Sequence, residues 1–314
     1  MSHVHEINSS SAKFRMAISS VVTLVFVGVE ASAGLYAHSL ALLTDAAHNL
    51  TDVLALGLSW YALRLADEPA HAGKTFGYHR AGILAAMVNS STLVVISLGI
   101  FYEAYQRLQA PPAVGADVLI YVASMALVVN LFTAWLVHHG SDHDLNMRSA
   151  FVHLMGDVFS TLGAIVAGVT IWFTGWNWLD PVVSVLIGLL ILWNAWAILG
   201  ETMDILLEST PKDIDMSVMV RDFMQVEGVH GVHDLHVWSI SRSLRLLSAH
   251  VVTDDLPISA AGAIQARLQD MLSHKYGVEH ATLQLESERC SPDDLYCDIA
   301  QRRNHHHCHH DPHH

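Results

Sequence analysis

Residues 40–63 read LALLTDAAHNLTDVLALGLSWYAL, a largely apolar stretch long enough to cross a bilayer that still carries Asp45, His48 and Asp52 in its first half. A hydrocarbon core of about 30 Å takes about 20 predominantly apolar residues in one helix. Further stretches of comparable length and character occur at 16–37, 81–102, 116–137, 149–173 and 181–199. Together they predict an all-α transmembrane domain of six helices in a lipid bilayer, with both termini on one side. Composition points the same way, since 52% of the 314 residues are hydrophobic and only 15% are charged. The first stretch is too long for the apolar part of a cleaved leader, although Ala31-Ser32-Ala33 could mimic a cleavage site.

Basic residues near the spans set the orientation, because Lys and Arg are retained on the cytoplasmic side. Lys13, Arg15, Arg64, Lys74, Arg80 and Arg148 fall on the side of the termini and only Arg107 on the other, so both termini are expected in the cytoplasm. A reducing compartment disfavours a disulfide among Cys290, Cys297 and Cys308 and leaves metal binding or free thiols. The net charge of −14 argues against nucleic acid as a partner, and 23 histidines suggest traffic with transition metals.

Beyond the sixth span, Glu208 to Pro211 mark a change to mixed composition. The chain divides accordingly into a cytoplasmic tail at 1–15, a transmembrane domain at 16–206, a cytoplasmic domain at 207–289 and a Cys/His-rich tail at 290–314. Ile214, Val218, Met219, Phe223 and Val226 recur at helical spacing within 213–227, while 232–240 and 244–253 read as the strands of a hairpin. Residues 258–276 form a second amphipathic helix, and 280–286 alternate cleanly as a strand. The order αββαβ suits a small open-faced α+β sheet, with the strand arrangement left open.

The chemistry concentrates in two copies of one pattern, His48-Asn-Leu-Thr-Asp52 in the second span and His153-Leu-Met-Gly-Asp157 in the fifth. Residues four apart share a helical face, so each helix presents an imidazole and a carboxylate together. Two such faces supply the two nitrogens and two oxygens that close tetrahedrally around Zn²⁺. A single polar residue in a span is more often a hydrogen-bonding group that holds helices together. Ionisable groups in lipid cost on the order of 2.5–3.5 kcal/mol each, so four in matched pairs need a common compensation, and a bound dication supplies it. Asp45, a turn before His48, reads either as a further ligand or as a helix-end group. Glu30, Asn89 and Asn130 read as interhelical hydrogen-bonding residues.

At these residues the sequence resembles the cation diffusion facilitator family, close to its bacterial zinc-exporting branch. The matching stretches are Ser39 to Asp52, Thr75-Phe-Gly-Tyr-His-Arg80, His153 to Asp157 and Asp234-Leu-His-Val-Trp238. The resemblance implies a homodimer in the bacterial inner membrane, a ferredoxin-like cytoplasmic domain, and export of Zn²⁺ or similar divalent metal ions with protons as counter-ion. It makes His48, Asp52, His153 and Asp157 the transport site. His rather than Asp at position 48 resembles the zinc-preferring pattern.

His236, His250 and Glu286, with Cys290 and Cys297 beyond them, are candidate ligands for a structural or regulatory Zn²⁺ in the cytoplasmic domain, and His79 and His280 for a further site between the two parts. The alternative for each is an ordinary surface side chain. His138, His139, His143 and the tail His305 to His314 could gather metal without forming a fixed site. Rival functions are a membrane metal sensor and a zinc metalloenzyme. A metalloenzyme keeps a coordination position open beside a general base, and the chain holds no H-E-x-x-H stretch. A pump driven by ATP is disfavoured by the lack of a G-x-x-x-x-G-K-[ST] loop.

Overall fold

The computed structural model describes residues 2–138 and 145–287. The first unit, through Thr202, holds six long helices: α1 Ser2–Tyr36, α2 Leu40–Ala66, α3 Ala81–Gln109, α4 Ala116–His138, α5 Leu145–Thr174 and α6 Leu179–Leu206. The six expected spans are all helical. The first begins at Ser2, because no Gly or Pro interrupts 2–15 and the helix runs on into the segment expected as a tail. α3, α6 and the described parts of α4 and α5 are long and apolar enough to cross a membrane. α1 contributes a shorter apolar length, Ser20–Tyr36. α2 falls below that standard of hydropathy because Asp45, His48, Asn49 and Asp52 interrupt it.

Small residues let these helices approach closely, as packing in lipid requires. Ala41, Ala116, Ala123, Ala126 and Ala164 are buried with Phe26, Leu42 and Leu119 in one cluster drawn from α1, α2, α4 and α5. α3 and α6 share another, around Leu93, Ile187, Ile191 and Ala195. At Gly188 of α6 a Cβ would stand 2.8 Å from the Phe101 ring of α3, so a larger residue there would have to displace that ring. The start of α2 is held by Asp180 in the first turn of α6. Its carboxylate accepts from Ser39 Oγ at 2.6 Å, from Leu40 N–H at 2.6 Å and from Ala41 N–H at 3.2 Å. Three donors at a helix N-terminus are thus satisfied by one buried anion, which also favours the helix dipole.

The second unit carries α7 Met216–Gln225, β1 Gly231–Ser239, β2 Arg245–Val252, α8 Ile258–Tyr276 and β3 Val278–Glu286, the expected αββαβ order. The sheet order is β1-β2-β3, with β1 and β2 antiparallel and β2 and β3 parallel, α8 making the crossover that parallel pairing demands. Leu235, Val237, Leu247, Ala249 and Val251 turn to the side covered by Met219, Phe223, Leu268 and Leu272 of the helices. α7 starts later than its apolar periodicity suggests because Asp215 caps it, accepting from the N–H groups of Ser217 and Val218. α8 ends at Gly277, whose φ of +63° is the left-handed conformation that terminates a helix without a Cβ clash.

Candidate metal centres

His48 sits on the face of α2 that meets α5. Its Nε2 lies 3.4 Å from Asp52 Oδ2 one turn along the same helix, and 3.4 Å from Asp157 Oδ1 on α5. Two ligands about 2.1 Å from a tetrahedral centre stand about 3.4 Å apart, so both spacings match neighbouring vertices of a zinc polyhedron. The side chains of His48 and Asp157 are 13% and 8% exposed and that of Asp52 is 25%, so the cluster opens on the side of Asp52. α5 is steadied here by a relay in which Asn130 Nδ2 of α4 donates to Thr161 Oγ1, which donates to the Asp157 carbonyl. His153 lies one turn before Asp157 in α5.

The second unit holds a candidate centre of its own, made of a different set from the one expected there. His233, His250 and Glu286 each offer an atom within 4.8 Å of the others. Glu286 Oε1 is 2.7 Å from His250 Nδ1, and Oε2 is 3.3 Å from His233 Nε2. None of these approaches is aligned as a hydrogen bond, so both His233 nitrogens, His250 Nδ1 and Glu286 Oε2 are buried and unsatisfied. Buried polar atoms without partners are costly, and a cation bound by one nitrogen of each imidazole and by the carboxylate would relieve three of them together. Two imidazoles and a carboxylate are competent zinc ligands, and these residues fit such an ion.

Of the residues expected there, His250 and Glu286 meet, whereas His236 stands to one side. Its Nε2 is 3.1 Å from Asp234 Oδ1, and its side chain is 43% exposed against 5% for His233. The cause is an extra residue in β1. His233 pairs with His250 and His236 with Ser248, so three steps along β1 match two along β2, and Asp234 at φ 51° makes the bulge. The bulge turns His233 and His236 to the same side of the sheet, with His233 directly opposite His250. In an unbroken strand His233 would have shared the side of Leu235 and Val237, and this hid it from the pattern. Its place three residues before His236 was the available signal.

His79 belongs to the loop between α2 and α3 and His280 to β3, in separate units. Cys290, Cys297, His139, His143 and the tail histidines lie outside the described residues.

Two family models divide the chain between them, one for the cation efflux transmembrane domain over residues 16–207 and one for the cation efflux protein cytoplasmic domain over 211–288. The chain belongs to the cation efflux family of multi-pass membrane transporters, and the resemblance drawn from residues 39–52 and 153–157 is borne out. Among its relatives is a cadmium, cobalt and zinc/H(+)-K(+) antiporter of Bacillus subtilis (strain 168), 39% identical over 98% of this chain and 100% of that protein. The zinc transporter ZitB of Pectobacterium atrosepticum is 38% identical over 97% of this chain and 94% of its own length. The metal cation efflux system protein CzcD of Cupriavidus metallidurans is 35% identical over 91% and 89%.

Proposed function

We propose that this protein exports Zn²⁺, and with it related divalent transition metals, from the bacterial cytoplasm across the inner membrane in exchange for protons. His48, Asp52, His153 and Asp157 are the ligands in transit. The observation that carries this reading is His48 standing 3.4 Å from carboxylates on two helices, Asp52 of α2 and Asp157 of α5. The named activities of the relatives support the cargo and the antiport.

The donor set itself couples metal to protons. Zinc binds neutral imidazole and ionised carboxylate, so loading displaces any proton on these groups and reprotonation from a more acidic side expels the metal. Four protein ligands would fill a tetrahedron and leave no position for an activated water, which favours a carrier over a metalloenzyme.

The cytoplasmic domain binds a second, resident zinc at His233, His250 and Glu286, with His236 and Asp234 around it, and supports a homodimer with both termini in the cytoplasm. Cys290 and Cys297, and His79 with His280, are candidates for further coordination. Uptake into proteoliposomes over a panel of metals, with a proton-sensitive dye trapped inside and the membrane potential clamped, tests cargo and coupling together. Accumulation of zinc with opposite proton movement is expected. Binding without accumulation would make the protein a sensor, and zinc flux without a dye response would leave a uniport carrier.

A further inference from the structure

The ligands assigned to the metal leave two buried carboxyls without a role. Glu30, in the apolar part of α1, is 0% exposed, and Asp45, on α2, is 5% exposed. Their carboxyls are in contact. Asn49 Nδ2, a turn beyond Asp45, donates to Glu30 Oε2 at 3.4 Å, while Glu30 Oε1 and Asp45 Oδ1 accept from no donor. Among the described residues that amide is the one side-chain donor to the pair, and it reaches only Glu30.

Charge balance sharpens the point. The groups facing the pair are His48 and Asp52 of α2 and Asp157 of α5. α4, also packed on α1, carries Asp117 and Tyr121 in its first two turns and His138 as its last residue. The described basic residues of α2 and α3 are Arg64 and Arg107, both in last turns. Arg64 lies over the Trp60 ring, and Arg107 is bound to Glu103 at 2.9 Å. A dication among His48, Asp52 and Asp157 offsets the charges of Asp52 and Asp157 and none of the charge on Glu30 and Asp45. Two carboxylates in contact, shielded from water, repel unless a cation lies between them, and the smallest that fits oxygen against oxygen is a proton.

We propose that Glu30 and Asp45 form a proton-holding carboxyl pair beside the metal site, carrying counter-ion on residues other than the metal's ligands. The inference rests on the metal-for-proton reading above and deepens it. One proton shared between Glu30 Oε1 and Asp45 Oδ1 leaves a single negative charge, which the Asn49 amide stabilises. When metal loads one turn away, its positive charge favours release of that proton, and when metal leaves, the proton returns. Metal and proton then interact across a helical turn as well as by direct competition.

The test uses the full chain. Zinc affinity is measured in detergent against a zinc-binding dye, and protons moved per zinc are measured in proteoliposomes with the potential clamped. Glu30→Gln preserves the acceptor for Asn49 and removes the ionisable oxygen. It is expected to bind zinc within about threefold of the unaltered protein at neutral pH, to move about one proton fewer per zinc, and to show a shallower pH dependence of transport. Asp45→Asn should do the same, and it carries the test should Glu30→Gln not fold. Glu30→Asp should restore part of the proton movement. Unchanged protons per zinc in both variants would overturn the proposal. Loss of zinc binding as complete as in Asp157→Ala would overturn it too, by making the pair metal ligands. Zinc flux with no proton movement in the unaltered protein would overturn the antiport reading beneath it.

Discussion

The membrane helices and the small cytoplasmic sheet gather the same donors, imidazole and carboxylate, by opposite routes. In the membrane the donors come from helical neighbours four residues apart, and His48 reaches Asp52 through nothing but the pitch of α2. On the sheet they come from three strands, and His233, His250 and Glu286 meet only through cross-strand register. Burial does not separate the two clusters, since His48, Asp52 and Asp157 are 13%, 25% and 8% exposed and His233, His250 and Glu286 are 5%, 18% and 13%.

That contrast breaks most easily at the membrane site. Asp157→Ala or Asp52→Ala removes an anionic ligand and leaves its partners buried without compensation, a loss of about 3–5 kcal/mol. Zinc transport should fall below about 1% of normal while the protein still inserts and dimerises. Vesicle uptake alongside size-exclusion chromatography checks both halves, and near-normal uptake would remove the claim that these residues carry the metal. A subtler change at the same place is His48→Asp, which exchanges a nitrogen ligand for an oxygen anion. Some transport should survive, with the cadmium-to-zinc ratio raised by about threefold or more. An unchanged ratio in competition uptake would show that position 48 does not tune selectivity.

The sheet site sharpens the comparison through two histidines three residues apart. In the soluble domain, residues 207–314 expressed alone, zinc at about 100 times its dissociation constant should stabilise the fold by about 2.7 kcal/mol, or about 11–22 °C in melting temperature. His233→Ala should abolish that shift and His236→Ala should reduce it only in part, because His236 is 43% exposed and engaged with Asp234. Thermal melts with and without zinc decide it. The reverse ranking would show that the bulge at Asp234 does not set the ligand choice. Transport by the full chain should survive His233→Ala far better than Asp157→Ala.

The smallest expected effect lies away from both sites. The Lys275 ammonium beside Asp222, and then the Tyr276 hydroxyl bonded to it, hold the Asp222 carboxyl below its usual range. A depressed carboxyl contributes stability that is fully present above the unfolded value of about 3.9 and is lost as pH falls through the folded one. The soluble domain should therefore weaken below about pH 4, and Lys275→Ala should flatten that part of its stability profile. Denaturant melts from pH 2 to 6 in metal-free buffer test it, and equal slopes in the two proteins would discount the Lys275 contact.

The membrane helices and the αββαβ order were legible because both depend on short-range pattern. Apolar length identifies a span, 3.6-residue periodicity identifies α7 and α8, and alternation identifies β3. His48 beside Asp52 was legible for the same reason. Three things were decided only by tertiary structure. Asp157 stands 3.4 Å from His48 because α2 and α5 pack together, a distance that no spacing along one helix contains. Glu30 looked like a lone hydrogen-bonding group until α1 packed against α2 and set it on Asp45. Most plainly, one extra residue in β1 reversed the side on which His233 lies. A helix fixes which residues are neighbours by its own hydrogen bonds, whereas a strand leaves its neighbours to the partner strand, and only the folded sheet supplies one.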